Sequence, residues 1–307
     1  MRGISSQVKL PVVYVVIPNK NGIFHLAYSL PSLENTKYRN FKVVMVDNVS
    51  TDNSVAFAEN TYPGIEILVN TTDIGFAGSV NNGIRHALKN GADYVAVFSN
   101  DVKVLPDWLD FSLGIYKKNI KAGLVGFMEI SREEENLFAN MGVSPDDVRF
   151  GTALPGCLFL CSRKVFRCVG LMDEGYFMYG EDNDFFERVI KAGFEILQTK
   201  MPVWHYGEGA SVNRRLRPAW LAYRNALRFA IKNQGLAQII RMSVALVYHG
   251  CIAPRGCSKS NPSVNRLKRY GRTANLFLFA GSCVWNMFFL PRTLWCRVWF
   301  PGPQCKV

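Results

Sequence analysis

The first 130 residues alternate continuous apolar runs with amphipathic segments, and this alternation leaves few possible folds. The runs are rich in β-branched residues and lack a polar face, as expected of strands covered on both sides. Repeated strand–helix units predict an α/β fold with a mostly parallel central sheet flanked by helices. The predicted strands are Val12–Pro18, Phe41–Asp47, Ile65–Asn70 and Tyr94–Asp101. The predicted helices end at Leu33 or cover Ser54–Asn60, Gly78–Gly91 and Trp108–Lys118.

Polar residues gather at the carboxyl end of each predicted strand. One such residue is usually a turn former or a helix cap. Parallel sheets, however, bind ligands beyond the carboxyl ends of their strands, so four clusters together predict a nucleotide-type site with a candidate metal ligand. In strand order the clusters are Pro18, Asn19 and Asn21; Asp47; Asn70; and Ser99, Asn100 and Asp101.

Four carboxylates lie among aromatic residues in the segment GYFMYGEDNDFFERVIKAGF, residues 175–194. A helix beginning near Glu181 would bury an apolar stripe, which consists of Phe185, Phe186, Val189 and Ile190. Asp182 would lie on that inward stripe at the start of the helix. It is therefore either a helix cap or a group directed into a site.

The other two carboxylates of this segment have a simpler interpretation. Asp184 precedes Arg188 by four residues, and Glu187 precedes Lys191 by four. Pairs with this spacing support an exposed helix face, so we expect both acids at the surface.

The charge of the chain is unevenly distributed. The total is +12, yet residues 1–205 hold 20 basic and 23 acidic residues, a net charge of −3. Residues 206–307 hold 16 basic residues and one acid, a net charge of +15. This excess either serves solubility or indicates an anionic partner, namely a membrane surface, a lipid phosphate or nucleic acid. Neither a helix-turn-helix nor a zinc pattern accompanies the charge, so we expect no nucleic acid partner.

The C-terminal third is also apolar. Residues 274–290 form a run of 17 without a charge, shorter than the roughly 20 that span a bilayer. Aromatic and basic residues nearby fit an interfacial segment: Trp285, Trp295 and Trp299 with Arg292 and Arg297. Peripheral attachment to a membrane is favoured over a helical subdomain packed on the core. We predict a catalytic domain over residues 1–207, with a nucleotide-binding half at about 10–130 and an acceptor half at about 131–207, and a helical region over 208–307.

Eight cysteines are scattered along the chain, and none has the C-x-x-C spacing of a zinc site. Met1 to Leu10 lacks the apolar core of a signal peptide. We therefore expect free thiols and a reducing, cytoplasmic location.

Five segments, in this order, together resemble a known family. They are VVMVDNVSTDNS, NTTDIGFAGSVNNGIRHAL, FSNDVKVLPDWL, MDEGYFMYGEDNDFFERVIKAGFEI and MPVWHYGEGAS. Over about residues 12–232 the chain resembles the inverting family 2 glycosyltransferases, which have the GT-A fold, and in particular their bacterial rhamnosyltransferase-like branch.

The resemblance assigns roles to individual residues. Asp47 would contact the nucleobase, and Asp101 would be the last acid of the metal-binding motif. His205 would complete the metal or diphosphate site, against the alternative of a packed histidine. Asp182 would be the catalytic base, and Glu181 would orient it or bind the acceptor. The cation would be Mg²⁺ or Mn²⁺, since both accept oxygen ligands.

The resemblance also implies that further residues bind the donor. These are Pro18, Asn19, Asn21, Asn70, Gly75, Phe76, Asn81, Arg85 and Asn100, where Arg85 faces either phosphate or solvent. On a later helix, Tyr223, Arg224 and Arg228 share one face and could touch the diphosphate or a lipid-linked acceptor.

The resemblance implies transfer of a sugar, with rhamnose as the example, from a nucleotide diphosphate to a hydroxyl of a glycan or lipid-linked acceptor. dTDP-rhamnose or a UDP-sugar would be the donor. The enzyme would act in cell-surface polysaccharide synthesis on the inner face of the cell membrane. Asn100 and Asp73 depart from the common pattern of the family, so a non-catalytic sugar-nucleotide-binding or scaffold protein is the alternative.

Overall fold

The computed structural model describes residues 10–138, 148–207, 216–253 and 270–299. Met1 to Lys9, Cys257 and Cys305 lie outside the described residues, as do the side chains of Arg297 and Trp299. The chain forms two compact units. The sheet unit comprises Met1–Ile74, Gly78–Arg167 and Phe194–Gly207. The helical unit comprises Gly75–Ala77, Cys168–Gly193 and Glu208–Val307.

The described residues form a nine-stranded sheet in the order β3-β2-β1-β4-β8-β6-β9-β5, with β7 paired to β9. The strands are β1 (Val13–Asn19), β2 (Phe41–Asp47), β3 (Glu66–Val69), β4 (Tyr94–Phe98), β5 (Val102–Val104), β6 (Ala122–Ser131), β7 (Val148–Gly151), β8 (Leu158–Ser162) and β9 (Glu195–His205).

The helices are α1 (Ile23–Glu34), α2 (Ser54–Thr61), α3 (Gly75–Lys89), α4 (Trp108–Lys118), α5 (Glu135–Phe138), α6 (Arg163–Val169), α7 (Glu181–Lys191), α8 (Leu216–Asn233), α9 (Leu236–Val247), α10 (Arg272–Phe288) and α11 (Leu290–Trp299). A π-helical turn at Tyr248–Ile252 continues α9.

The predicted α/β class is confirmed, and the sheet divides into two halves. Strands β1, β2, β3 and β4 are parallel neighbours, as the strand–helix alternation predicts. Strand β8 is antiparallel to β4 and β6, while β6 and β9 are parallel. Every residue of β1 is buried, which explains its continuous apolar sequence.

The ends of the predicted elements shift by a few residues. Strand β2 and helix α4 have the predicted bounds. Strand β4 ends at Phe98, not at Asp101: the Ser99 N–H still donates to the Cys157 carbonyl at 2.8 Å, but Asn100 and Asp101 form a turn. Helix α3 begins three residues before Gly78, and Gly91 follows its end with a φ of 87°, a conformation that glycine permits.

The helical unit has its own apolar cluster, centred on Tyr223, Leu227 and Leu246. No single described helix is long and apolar enough to cross a membrane, but α10 followed by Leu290–Cys296 satisfies those criteria as a pair bent by 66°. Five described cysteines are free thiols, as expected. Cys168 is disulfide-bonded, which the sequence did not predict.

Candidate functional site

The ends of β1 and β2 lie side by side, and Asn19 is the register partner of Asp47. The Asn19 Nδ2 donates to Asp47 Oδ1 at 3.1 Å and to Ser54 Oγ at 3.0 Å. Asp47 also accepts hydrogen bonds from the backbone N–H and the hydroxyl of Ser50, at 2.9 and 2.5 Å. Asn19 and Asp47 are both buried. The Asp47 carboxylate is therefore held in one position at the edge of the sheet.

The remaining predicted residues at these strand ends support the loops. Pro18 is a buried residue of β1. Asn21 has a φ of 50°, and its backbone N–H donates to Ser50 Oγ at 2.8 Å. Asn70 donates through Nδ2 to Ser79 Oγ at 3.2 Å. Asn70 Nδ2 also donates to Asn48 Oδ1 at 3.2 Å, so the ends of β1, β2 and β3 form one polar surface.

Asp73, which departs from the family pattern, binds Asn48 and Lys20. Its Oδ1 accepts a hydrogen bond from Asn48 Nδ2 at 2.6 Å, and its Oδ2 forms an ion pair with Lys20 at 2.6 Å. The carboxylate therefore connects the loops after β1 and β2. Since the pair is partly exposed, it contributes little to stability.

Asn100 connects the β4 end to the same surface. Its Nδ2 donates to Asn19 Oδ1 at 2.8 Å, which continues the chain of hydrogen bonds from Asp47. Gly22 passes close by: a Cβ at this position would lie 2.2 Å from both atoms of that hydrogen bond. A larger residue at position 22 would therefore separate Asn19 from Asn100.

Asp101 and His205 meet because β5 is antiparallel to β9. Asp101 directly precedes β5, whose first residue, Val102, is the register partner of His205. The Tyr206 N–H donates to the Asp101 carbonyl at 3.0 Å, and His205 Nε2 lies 3.3 Å from Asp101 Oδ2. The sequence proposed this pair, and the sheet places the two side chains in contact.

Glu129 is a third member of this group that sequence reasoning missed. It lies on β6 two residues before Ser131, the register partner of His205, so both side chains point to the same face. Its Oε1 lies 2.5 Å from His205 Nδ1. The signal was present in the sequence: Glu129 is the only acid in the otherwise apolar strand AGLVGFMEIS.

The two carboxylates control the charge of His205. Burial would lower the pKa of the imidazole, but the hydrogen bonds and negative charges of Asp101 and Glu129 outweigh burial and raise it to about 10. Burial would likewise raise the pKa of Asp101, yet His205 lowers it below its usual value. The site therefore attracts positive charge.

The donor atoms fit a divalent cation. Asp101 Oδ2 and His205 Nε2, 3.3 Å apart, would hold the cation in place of the proton that His205 carries at neutral pH. The Cys157 thiol is a further candidate, since it lies within 4.8 Å of ligand atoms of Glu129 and His205. Burial and the nearby carboxylates raise the pKa of Cys157 well above its usual value, so oxygen and imidazole are the available ligands.

The segment Gly75–Arg85 contains four predicted donor contacts. Gly75 has a φ of 73°, and a Cβ there would lie 2.5 Å from the Phe177 carbonyl oxygen. Phe76 is half-buried and Asn81 is buried. Arg85 is exposed and donates to the Asn82 side chain at 2.9 Å. Contact of these residues with a donor stays a prediction.

Helix α7 begins at Glu181, as predicted, and its apolar stripe is buried at Phe185, Phe186 and Val189. Glu181 is buried and Asp182 is half-buried. The Asp182 Oδ1 accepts the N–H of Asn183 at 2.8 Å. Because these residues belong to the helical unit, their approach to Asp101 and His205 stays a prediction.

The expectation of a surface position for Asp184 is wrong. Asp184 does pair with Arg188 at 3.0 Å, but it is completely buried. Lys232 Nζ and Asn233 Nδ2 of α8 each lie 2.9 Å from it. The spacing revealed the pair but not the second helix that covers it. Glu187 and Lys191, 3.2 Å apart, are partly exposed as predicted.

Asp173 extends this buried network. It lies 2.9 Å from Arg228 and 2.8 Å from Lys232. Burial would raise the pKa of Asp173, but the two cations lower it far below its usual value. Breaking a buried ion pair costs about 3–5 kcal/mol, because the remaining charge loses its partner.

The three predicted contact residues of α8 are all buried. Tyr223 belongs to the apolar cluster, and Arg228 donates to Asp173 and to Thr293 Oγ1. Arg224 lies between two indole rings, 5.1 Å from that of Trp220 and 4.6 Å from that of Trp285. Their observed contacts are structural, and binding of diphosphate or acceptor stays a prediction.

The loop preceding α7 has a strained backbone. Phe177 and Tyr179 have φ values of 65° and 70°, and Gly180 has a φ of 91°. Such conformations cost about 1–3 kcal/mol per non-glycine residue and occur frequently at functional sites. The other two non-glycine residues with positive φ in the described part of the chain are Asn21 and Val49, which lie in the loops after β1 and β2.

Known proteins with similar sequences were found by comparison. Residues 14–148 match the family model described as glycosyl transferase family 2. Residues 147–208 match a model described as N-terminal domain of galactosyltransferase. The chain is 27% identical over 208 residues to the N-acetylglucosaminyl-diphospho-decaprenol L-rhamnosyltransferase of Mycobacterium tuberculosis. This match covers 55% of the chain and 67% of the relative.

Solved structures show the same fold. The mannosyltransferase PcManGT from Pyrobaculum calidifontis, in complex with GDP-Man and Mn²⁺, matches with a TM-score of 0.57 and 16% identity, over 95% of this chain and 88% of that one. GalNAc-T7 with UDP, GalNAc and Mn²⁺ matches with a TM-score of 0.55 and 13% identity, and the match covers 77% of this chain and 55% of that one. Residues 1–349 of S. aureus TarS match with a TM-score of 0.53 and 14% identity, and the match covers 75% of this chain and 69% of that one.

The fold is thus that of the GT-A glycosyltransferases. Residues 14–148, somewhat less than half of the chain, are similar to glycosyl transferase family 2, and the chain is also similar to a rhamnosyltransferase.

Proposed function

We propose that this protein is a metal-assisted, inverting glycosyltransferase of family 2. It transfers a sugar, with rhamnose the first candidate, from a nucleoside diphosphate to a hydroxyl of a lipid-diphosphate-linked glycan in cell-surface polysaccharide synthesis. One observation carries the proposal: a hydrogen-bonded line from Asp47 through Asn19 and Asn100 leads to the Asp101–His205 pair. The nucleobase and the diphosphate lie at opposite ends of a nucleoside diphosphate. Its binding site therefore needs a contact for the nucleobase at one end and a cation at the other.

The donor is bound along this line. Asp47 accepts hydrogen bonds from the nucleobase, and Asn19 keeps the carboxylate oriented through its amide. dTDP-rhamnose and UDP-sugars are the candidate donors. The rhamnosyltransferase relative supports the former, and the UDP in the solved complex of GalNAc-T7 supports the latter.

The diphosphate leaving group is neutralised near Asp101 and His205. These residues would hold Mg²⁺ or Mn²⁺, which would stabilise the negative charge that develops as the diphosphate departs. The Mn²⁺ in two of the similar solved structures supports a divalent cation here. Glu129 accepts a hydrogen bond from the opposite ring nitrogen of His205 and thereby fixes the imidazole orientation.

Asp182 acts as the general base. The acceptor oxygen attacks the anomeric carbon while the bond from that carbon to the diphosphate oxygen breaks, and the electron pair leaves with the nucleoside diphosphate. The hydroxyl proton passes to the Asp182 carboxylate. A single displacement of this kind inverts the anomeric configuration.

The acceptor is presented by a membrane in this proposal. Helix α9 and the turn after it expose apolar side chains at four-residue spacing: Leu236, Ile240, Val244, Tyr248 and Ile252. A helix with this stripe and basic neighbours binds in the interfacial plane of a bilayer. The net charge of +15 after residue 205 favours an anionic leaflet. We place the enzyme at the cytoplasmic face of the cell membrane.

A donor panel tests the reaction. The full chain is incubated with Mn²⁺, polyprenyl-diphosphate-linked N-acetylglucosamine and single nucleotide sugars, and products are identified by mass spectrometry and by the anomeric configuration in NMR. We expect one donor to give an inverted product. Asp182→Asn should reduce turnover about 100-fold or more, whereas Glu187→Gln on the same helix should not.

Three results would contradict the proposal. Wild-type turnover in Asp182→Asn would show that Asp182 is not the general base. A product with retained anomeric configuration would exclude a single displacement. Tight donor binding without transfer to any acceptor would favour the non-catalytic sugar-nucleotide-binding protein.

A further inference from the structure

The loop that leads into α7 is held from one side by two consecutive residues of α8. The Asn225 Nδ2 donates to the carbonyl oxygens of Tyr176, Met178 and Tyr179 at 3.0, 2.7 and 2.7 Å. An amide NH₂ has two hydrogens, so one of them is shared between two carbonyls. A single side chain thus satisfies three backbone acceptors in a stretch of four residues.

Arg224 reinforces this arrangement. Its Nη2 donates to the carbonyl oxygens of Gly175 and Tyr176 at 3.0 and 2.5 Å. Its Nε donates to Asn225 Oδ1 at 2.8 Å, which fixes the orientation of the amide. Both α8 side chains are buried.

The backbone that Asn225 and Arg224 bind is the same stretch that contains the residues with positive φ. Phe177, Tyr179 and Gly180 all have positive φ, and the carbonyls that Asn225 binds lie within this stretch or directly before it. Asn225 donates to the carbonyl of Met178, which lies between Phe177 and Tyr179, and to the carbonyl of Tyr179 itself. Together with the backbone bond from the Met178 N–H to the Tyr176 carbonyl at 2.8 Å, those bonds stabilise a conformation that non-glycine residues disfavour.

The strained loop continues directly into the acidic start of α7. Gly180 is the N-cap, and its carbonyl accepts the N–H of Asp184 at 3.0 Å. Glu181 and Asp182 are the next two residues. Any change in the loop therefore moves both carboxylates.

We propose that Asn225 is a positioning residue: it holds the loop of residues 176–180 in its strained conformation and thereby fixes Asp182 for proton abstraction. The catalytic consequence rests on the proposed function, whereas the hold on the loop does not. A displaced catalytic group slows the chemical step much more than it weakens binding of a donor whose nucleotide is bound elsewhere.

Asn225→Ala is compared with a matched control, Asn286→Ala. Asn286 is also a buried asparagine of the helical unit, and its Nδ2 donates to the Arg224 and Ser282 carbonyls and not to the loop. Both variants lose one buried amide, so both should lose similar thermal stability. We expect kcat to fall about 10- to 100-fold in Asn225→Ala, with the donor KM within about threefold of wild type. Asn286→Ala should retain most of its kcat.

Hydrogen–deuterium exchange of the peptide containing residues 175–183 provides a readout independent of activity. We expect faster exchange there in Asn225→Ala than in wild type and Asn286→Ala. Asn225→Gln, whose longer side chain keeps the amide, should show intermediate exchange and kcat.

Two outcomes would overturn the inference. One is unchanged exchange of the loop in Asn225→Ala. The other is a loss of kcat no greater than in Asn286→Ala at equal stability. If the wild-type chain transfers no sugar, the proposed function fails, and the exchange measurement still decides whether Asn225 holds the loop.

Discussion

Two ion pairs on α7 have the same four-residue spacing and opposite environments. Asp184 and Arg188 are buried under α8, while Glu187 and Lys191 are partly exposed. A buried pair cannot be broken without leaving a charge uncompensated, whereas water solvates the partner of an exposed pair.

We predict that Asp184→Asn lowers the free energy of unfolding by about 3–5 kcal/mol and that Glu187→Gln changes it by about 0.5 kcal/mol or less. Urea unfolding at neutral pH, followed by tryptophan fluorescence, measures both. Equal effects of the two substitutions would show that the buried network does not contribute as described.

Asp173 makes the stability of the helical unit depend on pH. Lys232 and Arg228 hold the folded-state pKa of this carboxyl below its unfolded value near 3.8. The folded state therefore releases the proton more readily, and the stabilisation is present above that value and disappears as the pH falls through the folded pKa.

We predict that the free energy of unfolding of the wild type falls as the pH decreases from about 5 to about 2. Asp173→Asn should be less stable at pH 7 and should lose less on acidification, because it has no carboxyl to protonate. Urea unfolding at a series of pH values gives both curves, and parallel curves would contradict the assignment.

The sequence could identify candidate residues but not all of their partners. Asp101 and His205 were predicted from motifs, and they do lie in contact. Glu129 was missed, because its contact with His205 depends on the parallel register of β6 and β9, which no local pattern specifies. Asp184 was placed at the surface because helical spacing says nothing about a second helix.

At the scale of elements, two helix-interior glycines serve different purposes. A Cβ at Gly83 of α3 would lie 2.3 Å from Val16 Cγ1 of β1, so the helix approaches the sheet closely there. A Cβ at Gly114 of α4 would meet nothing within 4 Å.

We predict that Gly83→Ala destabilises the protein by about 1–3 kcal/mol, because the added methyl overpacks the contact. Gly114→Ala should stabilise it by about 0.5–1 kcal/mol, since alanine favours the helix. Thermal unfolding of both variants checks the prediction. Destabilisation by Gly114→Ala would show that its surroundings are tighter than described.

Local pattern predicted the parallel half of the sheet well. Strand β1 and its neighbours are continuous apolar runs, and the alternation of strands and helices predicts that they pair in parallel. The antiparallel strand β8 between β4 and β6 follows from pairing across long stretches of chain, which composition does not encode. The sheet is therefore mixed where alternation alone suggested a mostly parallel one.

At the scale of the whole molecule, charge and exposed apolar area occur in the same third of the chain. We predict that the protein floats with vesicles of anionic lipid and less with neutral ones, and that salt weakens the binding. Ile240→Gln with Val244→Gln should reduce partitioning at least about tenfold, because two exposed apolar side chains of α9 no longer insert.

Ile120→Gln is the matched control, since Ile120 is an exposed apolar residue of the sheet unit. It should bind vesicles as the wild type does. Equal binding of the wild type, the α9 double variant and Ile120→Gln would show that α9 does not form the membrane contact.

Calorimetric titration of dTDP and UDP, with Mn²⁺ and with a chelator, most directly tests whether the edge of the sheet is a nucleotide and metal site. We expect one nucleotide to bind with Mn²⁺, and its affinity to fall at least about tenfold with chelator or in Asp101→Asn, because the diphosphate then loses its cation. Lys89→Gln, at an exposed position in the last turn of α3, serves as the comparison. Equal affinity with and without the cation, and in Asp101→Asn, would contradict the assignment of Asp101 and His205.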